Sequence, residues 1–307
     1  MVTVKKPGFF STIQDAGRVG FQRYGVIVSG VMDHVAFRIG NMLLQQRNEA
    51  AIEMTLIGGT FVFSKRTTIA LTGGQMEAKL NGKRVAMHTR IAIHAGDELV
   101  CGSIDGRAYI CIKGGITLPV VMNSRSTYVK AQLGGYNGRA LQKGDGLPYD
   151  ETERLPRVPQ IAVKRFYAER PIRIIEGTEW SRLANMQQSF LQRTYRISLQ
   201  ADRMGYRLVP HAPIMLKQPF QLISEAVTFG TIQMPPSGEP IILMADRQTT
   251  GGYPKIGQVI YADLHRLAQL PPNRTITFEL VTIAQAERLY EELERELRLL
   301  EIVLEGL

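Results

Sequence analysis

Cysteine is scarce in this 307-residue chain, and long hydrophobic runs are absent from it. The two cysteines, Cys101 and Cys111, lie in apolar alternating stretches, which predicts buried thiols rather than a disulfide framework. No run of eighteen apolar residues occurs, so the sequence predicts no transmembrane helix. Residues 1–7 lead into strand-like sequence rather than a signal peptide, and we therefore expect a cytoplasmic protein.

Familiar nucleotide-binding and hydrolase motifs are also missing. The sequence has no G-x-x-x-x-G-K-[ST] phosphate loop, no G-x-G-x-x-G after a first strand, no G-x-S-x-G elbow and no C-x-x-C pair. Its five histidines never occur at metal-ligand spacing, so we expect no metal site. Nothing in the sequence itself therefore indicates where a nucleotide would bind.

The charge balance is mildly basic. Lys and Arg total 37 against 28 Asp and Glu, a formal net charge of +9, but the positive residues are scattered along the chain. No basic block or nucleic-acid-binding signature occurs, so we expect no nucleic-acid or membrane partner. The excess is compatible with anionic substrates or with an acidic partner protein.

The length and the 44% hydrophobic content suffice for two domain-sized cores. Short alternating or apolar runs dominate both halves, so the predicted fold is mainly β with a few helices. The Asn81-Gly82 dipeptide is typical of a type I′ hairpin. Proline and charge cluster near residues 147–160, as in a linker. We predict one domain over residues 1–155, a second over 156–281 and a C-terminal amphipathic helix over 282–307.

Three helices have start signals. Asp33 is a predicted N-cap, with apolar residues recurring at helical spacing after it. A second helix is predicted over residues 179–192, capped by Thr178. Thr282 and Gln285 form a capping box ahead of leucines spaced by three or four, a stripe that we expect to pack on its own domain. The later apolar runs, including residues 259–261, are predicted strands.

Three short strings recur in the same order in both halves. Residues 18–21 resemble residues 203–206, Glu53 precedes a glycine by five residues as Glu225 does, and Gly-Gly-Tyr occurs at 134–136 and 251–253. The offsets of these three matches are not constant, so chance matching remains the alternative to duplication with insertions. A duplication predicts two related β-barrels.

The densest set of polar residues is the stretch 246–255, which directly follows an apolar run. Paired glycines let a backbone approach a ligand, and this stretch also supplies hydroxyls, a carboxylate, a guanidinium and an amine. The alternative is a polar hairpin tip. Upstream, Gln233 can hydrogen-bond an amide through both its donor and its acceptor, or is a polar residue at a strand edge. In the first half, Arg18 and Arg125 are candidates for bidentate binding of a carboxylate or phosphate.

Several longer motifs resemble the biotin-dependent carboxyltransferase family, also called allophanate hydrolase subunit 2. The resemblance rests on these strings, in the family's order: Thr12-x-Gln14-Asp15-x-Gly17-Arg18-x-Gly20, Ser29-Gly30-x-Met32-Asp33, Ser124-Arg125-Ser126-Thr127, Arg203-Met204-Gly205-Tyr206-Arg207-Leu208, Gly230-Thr231-Ile232-Gln233-Met234-Pro235 and Asp246-Arg247-Gln248-Thr249-Thr250-Gly251-Gly252-Tyr253-Pro254.

This resemblance implies a fold of two cyclophilin-like β-barrel domains, related as a pseudo-duplication. For a stand-alone member it implies a component of an ATP-dependent 5-oxoprolinase complex, which opens 5-oxo-L-proline to L-glutamate. The implied partners are two further proteins, one KipI-like and one LamB/YcsF-like. ATP would be used by the complex, and its site is not located in this chain.

The same resemblance leaves two other functions open. One is a biotin-dependent carboxyltransferase acting on a urea-like amide, for which a separate biotin carrier would be required. The other is a regulator that binds and antagonises a KipI-like kinase inhibitor.

Candidate site residues follow from these motifs. We expect the catalytic residues to be Asp246, Arg247 and Lys255. We expect the substrate-binding residues to be Gln14, Arg18, Arg125, Gln233, Thr249, Thr250, Gly251, Gly252 and Tyr253.

Overall fold

The computed structural model describes residues 1–214 and 222–306. It is mainly β, with four α-helices in the described part of the chain, which confirms the predicted fold class. The chain divides into two compact units. Unit 1 comprises residues 1–19, 29–167 and 297–307, and unit 2 comprises residues 20–28 and 168–296.

Unit 1 is built on one ten-stranded sheet, and α1 belongs to the same unit. The strands run in the order β10-β1-β4-β9-β3-β2, with β5 and β6 also pairing with β9. The elements are β1 Val2–Lys6, β2 Phe10–Gln14, α1 His34–Leu43, β3 Ala51–Ile57, β4 Thr60–Phe63, β5 Thr67–Gly73, β6 Met76–Leu80, β7 Lys83–Val85, β8 Arg90–Ile93, β9 Glu98–Ile112 and β10 Gly146–Leu147.

The 15-residue strand β9 organises unit 1, because it pairs with four strands along its length. Its first residues pair with β4 and β6, and its last residues pair with β3 and β5. The apolar side chains of these strands enclose a continuous core, which includes Ile13, Ile52, Phe61, Leu71, Leu99 and Ile110, all fully buried.

Unit 2 contains an eight-stranded sheet in the order β19-β12-β13-β16-β15-β18-β11-β20, with a separate pair β14-β17. Its core includes a cluster of aromatic rings, in which Phe190 stacks on Phe278 with ring centroids 5.2 Å apart. The elements are β11 Ile172–Glu176, α2 Gln187–Gln192, β12 Tyr195–Ile197, β13 Gly205–Pro210, β14 Glu225–Ala226, β15 Thr231–Gln233, β16 Ile241–Leu243, β17 Thr250–Gly251, β18 Lys255–Val259, α3 Tyr261–Ala268, β19 Thr275–Ile276 and β20 Phe278–Leu280.

The last helix, α4, spans Ile283–Glu305. Its capping box is confirmed: Thr282 N donates to Gln285 Oε1 over 2.8 Å, and Gln285 N donates to Thr282 Oγ1 over 3.2 Å. Leu293, Leu297 and Leu304 are buried, so the leucine stripe is a packed face of the helix. Residues 297–305 of this helix belong to unit 1.

Two further local predictions are confirmed. The side chain of Asp33 caps α1 by accepting a hydrogen bond of 2.8 Å from Ala36 N. Asn81 and Gly82 join β6 to β7 with φ values of 50° and 79°, the pair of positive angles that a type I′ turn requires.

Two predicted elements were wrong. The predicted helix over residues 179–192 is a 3₁₀ segment, Trp180–Met186, followed by the short α2, with Ala184 in a non-helical conformation between them. Residues 259–261 do not continue as a strand, because β18 ends at Val259 and α3 begins at Tyr261. Apolar runs of this length do not distinguish a strand from a buried helix.

The two cysteines are free and buried, as predicted, and burial raises the pKa of each thiol to about 12. No helix among residues 1–214 and 222–306 is long and apolar enough to span a membrane.

Candidate functional site

The polar stretch 246–255 lies in unit 2 between β16 and β18. Backbone hydrogen bonds hold it along its whole length. Val227 N donates to Thr249 O (3.1 Å), Leu222 N donates to Gly252 O (3.1 Å) and Met234 N donates to Pro254 O (2.9 Å). Because these partners lie on three different segments, the loop has a defined shape rather than that of a free hairpin tip.

Asp246 starts this loop in a buried ion pair with Arg203. Arg203 Nε donates to Asp246 Oδ2 and Arg203 Nη2 donates to Asp246 Oδ1, each over 2.9 Å. The backbone N–H of Asp246 also donates to Arg203 O over 2.7 Å. Since the guanidinium holds both carboxylate oxygens, this geometry makes Asp246 a residue that positions the loop. Its predicted catalytic role remains a prediction.

The next residue, Arg247, lies in a different environment from Asp246. Its side chain is half-buried, and its recorded hydrogen bond within the described residues runs from Nη1 to Ala245 O at 3.5 Å, the limit of such a contact. Arg247 Nε is buried and has no hydrogen-bond partner among the described residues. Burial lowers the pKa of this guanidinium, and the neighbouring Asp246 opposes that shift. An unsatisfied, desolvated guanidinium is a group to which an anion would bind favourably.

Two carboxamides converge on Gly251. Gln233 is buried at the end of β15 and donates from Nε2 to Tyr253 O at 3.4 Å. A Cβ added to Gly251 would clash with Gln233 Nε2 and would lie 3.3 Å from Gln248 Nε2. Both of these atoms are the ends of flexible side chains, so a side chain at position 251 would displace the two amides from this arrangement. Gln233 is placed with the loop, as predicted, whereas sequence reasoning missed Gln248.

Lys255 closes the loop and is engaged by two carboxylates. Its ammonium forms an ion pair with Glu225 on β14, and its backbone N–H donates to Glu179 Oε2 over 2.7 Å. The ion pair must open before the Lys255 amine can take part in proton transfer. The other predicted binding residues of this loop are present at its outer part: Thr250 and Tyr253 are exposed, and Thr249, Gly251 and Gly252 are half-buried.

A second polar cluster lies in unit 1 and centres on Asp15, which sequence reasoning had not named as a site residue. Asp15 Oδ1 accepts from the hydroxyls of Ser124 (2.6 Å) and Ser126 (2.5 Å) and from Gly17 N (2.9 Å). Asp15 Oδ2 accepts from Arg125 N (2.5 Å). One carboxylate thereby ties the loop after β2 to residues 124–126, more than 100 positions along the chain.

The predicted binding residues of unit 1 belong to this cluster, where each donates a hydrogen bond to a backbone carbonyl. Arg18 is fully buried and donates from Nη2 to Ser126 O. Arg125 donates from Nε to Leu118 O over 3.0 Å. Gln14 is fully buried and donates from Nε2 to Thr12 Oγ1 (3.0 Å) and to Thr127 O (3.1 Å). These bonds do not favour the predicted carboxylate clamp by Arg18 or Arg125.

The start of α1 is held by a buried chain of hydrogen bonds. Tyr167 OH donates to Asp33 Oδ2 (2.8 Å), Asp33 N donates to Tyr109 OH (2.9 Å) and Tyr109 OH donates to Glu53 Oε2 (2.8 Å). Burial, reinforced by the nearby carboxylates, raises the pKa of both tyrosines well above the ordinary value, so both remain donors at neutral pH. Glu53 also accepts from Met32 N over 2.9 Å.

The matched positions of the two halves have different surroundings. Arg18 and Arg203 are both buried, but Arg18 meets a backbone carbonyl and Arg203 meets a carboxylate. Glu53 is fully buried in a strand of the large sheet, whereas Glu225 is exposed on β14. The residues at these positions therefore have different local roles.

Within the part of the chain that the structure describes, no group of three or more His, Cys, Asp or Glu residues is arranged to hold a metal ion. The polar side chains of residues 246–255 are one carboxylate, one guanidinium, one carboxamide, three hydroxyls and one amine.

Residues 24–280 match the carboxyltransferase domain family, subdomains A and B. The chain belongs to this carboxyltransferase family. The C subunit of the Haemophilus influenzae 5-oxoprolinase is 40% identical over 283 residues, covering 91% of each chain. The C subunit of the Escherichia coli 5-oxoprolinase is 36% identical over 301 residues, covering 96% of each chain.

The family also includes parts of much larger proteins. The crystal structure of the K. lactis urea amidolyase superposes with a TM-score of 0.85 at 29% identity. That match covers 96% of this chain but only 20% of the urea amidolyase chain. As a carboxyltransferase-family chain, this protein thus resembles one segment of the urea amidolyase and nearly the whole of the two 5-oxoprolinase proteins.

Proposed function

We propose that this chain is the C subunit of an ATP-dependent 5-oxoprolinase complex, which cleaves 5-oxo-L-proline to L-glutamate. The observation that carries the proposal is the end-to-end match to two proteins of that name, at 40% and 36% identity. The urea amidolyase match covers only a fifth of that larger chain. A match of nearly equal length favours the same role in an assembly of separate proteins.

The chemistry of the loop suits this reaction. A five-membered lactam is an unreactive amide, so its carbonyl must be activated before water attacks. Donors held in a fixed position would stabilise the negative charge that develops on the carbonyl oxygen. We propose that Asp246, Arg247 and Lys255 serve the catalytic step. We propose that the substrate is bound by Gln233, Thr249, Thr250, Gly251, Gly252 and Tyr253, and the binding role of Gln14, Arg18 and Arg125 in unit 1 stays a prediction.

In the complex, ATP would bind to a partner protein. The groups around the loop fit an amide or a carboxylate better than a triphosphate, which proteins commonly hold with a glycine-rich loop, a lysine and Mg²⁺. We therefore propose that ATP binds on the KipI-like or the LamB/YcsF-like partner. We propose that the assembly works in the cytoplasm. We also propose that the chain consists of one domain over residues 1–155, a second over residues 156–281 and the helical segment 282–307.

Reconstitution tests this function. The purified chain is mixed with candidate KipI-like and LamB/YcsF-like partners, ATP and 5-oxo-L-proline, and glutamate release is measured with and without each component. We expect release only when all three proteins and ATP are present. Glutamate release that does not change when this chain is omitted would overturn the proposal.

The similarity to a urea amidolyase segment supports a second candidate, a biotin-dependent carboxyltransferase acting on a urea-like amide. That function requires biotin on a separate carrier and makes ATP turnover depend on bicarbonate. The same reconstitution with avidin, or without bicarbonate, distinguishes the two, because 5-oxoproline cleavage should be insensitive to both.

The third candidate, a KipA-type regulator, requires only binding to the KipI-like protein. The Asp246→Ala and Arg247→Ala pair separates binding from catalysis. Retained binding with loss of glutamate release would assign the loop to chemistry, whereas loss of both would support a docking role for it.

A further inference from the structure

The surroundings of the Arg247 guanidinium favour the binding of a ligand. Its Nε is buried without a hydrogen-bond partner among the described residues, and its one recorded bond is at the 3.5 Å limit. The adjacent Asp246 carboxylate is already paired with Arg203, whose guanidinium lies 2.9 Å from each of its oxygens. A half-buried cation in this state is stabilised by an anion that supplies two acceptor oxygens.

Each of the two arginines predicted to bind an anion in unit 1 donates to a backbone carbonyl. Arg18 is fully buried against Ser126 O, and Arg125 Nε donates to Leu118 O.

Two amide side chains lie in or beside the same loop. Gln248 is the next residue, and its Nε2 converges with Gln233 Nε2 on Gly251. Gln233 is buried, which fixes its carboxamide, while Gln248 is half-buried and remains accessible. Carboxamides pair with amides in both directions, because each offers a donor and an acceptor.

We infer that Arg247, Gln248 and Gln233 form a binding site for a small molecule that carries both a carboxylate and an amide. The guanidinium of Arg247 pairs with the carboxylate, and the two carboxamides hydrogen-bond the amide. This deepens the proposed function, on which it rests for the choice of 5-oxo-L-proline as the ligand. It adds Gln248 to the site and assigns recognition of the carboxylate to Arg247.

Binding to the purified full-length chain tests the inference by titration calorimetry. Three probes are used: 5-oxo-L-proline, 2-pyrrolidone, which is the same lactam without a carboxylate, and succinamate, an open-chain molecule with both groups. Arg247→Gln should weaken binding of both carboxylate probes at least tenfold and leave the weaker binding of 2-pyrrolidone unchanged. Arg247→Lys keeps the charge but not the planar fork, so it should recover only part of the loss.

Gln248→Ala provides the second arm. This substitution should weaken the binding of all three probes by a similar factor, since each probe carries an amide. Arg288→Gln is the matched control, because it removes one positive charge from an exposed position on α4 in the same unit. It should bind all probes as the wild type does. Melting temperatures of all variants are compared, and that of Arg247→Gln should not fall, since the change removes a desolvated charge.

Each outcome decides a separate question. If 5-oxo-L-proline fails to bind but succinamate binds in a manner that depends on Arg247, the binding site stands and the proposed 5-oxoprolinase function fails. If the carboxylate probes bind and the reconstituted complex forms no glutamate, the same separation holds. The inference itself is overturned if neither carboxylate probe binds the wild type, or if Arg247→Gln binds both with wild-type affinity.

Discussion

At the residue scale, the Arg203–Asp246 pair illustrates how a buried charge is made tolerable. Their side chains are only 7% and 8% exposed, so each charge would be strongly destabilising without the other. The pair fixes the first residue of the loop by two side-chain bonds, whereas the buried Nε of the neighbouring Arg247 has no hydrogen-bond partner within residues 1–214 and 222–306. Adjacent residues of the same motif thus have different surroundings.

Breaking this pair should be costly. Arg203→Met leaves the Asp246 carboxylate buried without its counter-ion, and we expect the free energy of unfolding to fall by about 3–5 kcal/mol. Denaturant unfolding measures the change. The double variant Arg203→Met with Asp246→Leu removes both charges and should recover most of the loss. A double variant no more stable than the single one would show that the charge pair is not the cause.

His88 predicts a pH dependence of stability. Burial lowers its pKa to about 4, from an ordinary value of 6.5. Between these values the unfolded chain binds a proton that the folded chain does not, so the stability contributed by neutral His88 is present above about pH 6.5 and is lost as pH falls toward 4. The expected loss across this window is about 3 kcal/mol.

The measurement compares unfolding at pH 7 and pH 4 in the wild type and in His88→Asn. Asparagine tolerates the positive φ of 57° at this position and does not titrate. The variant should therefore lose less stability than the wild type over the same interval. His211→Asn, at an exposed position, should follow the wild type. Parallel curves for the wild type and His88→Asn would contradict the prediction.

At the element scale, turn chemistry determines the β6–β7 hairpin. Gly82 has a φ of 79°, and a Cβ at this position would meet no atom within 4 Å. Gly82→Ala therefore tests backbone conformation without a steric clash, and should lower the free energy of unfolding by about 1 kcal/mol. Gly306→Ala is the control, because its Cβ also has room and its φ is not in the left-handed region. Equal effects of the two substitutions would refute the explanation.

The helix predicted over residues 179–192 is not a single helix in the structure. Its apolar spacing suits one helix, and Trp180 and Leu183 are indeed buried. However, Ala184 adopts φ 48° and ψ −125°, which splits the segment into a 3₁₀ part and the short α2. Packing of Trp180 and Phe190 edge-on, with ring centroids 5.8 Å apart, is achieved in this bent form. Tertiary packing here overrides a periodic pattern.

At the scale of the whole molecule, the end of α4 completes the core of unit 1 although it is last in sequence. Leu297 is fully buried and Leu304 is 2% exposed. Arg90 donates from Nε to Leu43 O (2.5 Å), from Nη1 to Pro156 O (3.2 Å) and from Nη2 to Leu304 O (3.3 Å). One guanidinium thereby connects the carboxyl ends of α1 and α4 with the connection that follows β10.

Two leucines of α4 give a matched test of this packing. Leu297→Ala should lower the free energy of unfolding by about 3 kcal/mol, because it leaves a cavity in a closed core. Leu299→Ala, two residues later and 57% exposed, should change it by less than about 0.5 kcal/mol. Both changes have the same effect on helix propensity, so the difference between them reports burial. Similar losses would show that the helix packs through another face.

The sequence by itself determined the features that depend on residues close together in the chain. Asp33 caps α1 through a residue three positions away, Thr282 and Gln285 cap each other, and Asn81-Gly82 closes its own hairpin. The mainly β class follows in the same way from short alternating runs. The stretch 246–255 could be recognised as a candidate site because its polar groups are contiguous.

Only the tertiary structure decided which of those polar groups are satisfied. Arg203 meets Asp246 across 43 positions, and Asp15 meets Ser124 across 109. Sequence patterns do not specify such pairings. A charged residue has the same place in the sequence whether its side chain binds a carboxylate, a carbonyl or a ligand. In the sequence, Arg18 and Arg125 were candidates for binding a carboxylate and Arg247 was a candidate catalytic residue. Long-range packing brings Arg18 to Ser126 O, whereas the recorded bond of Arg247 runs to Ala245 O, two residues away.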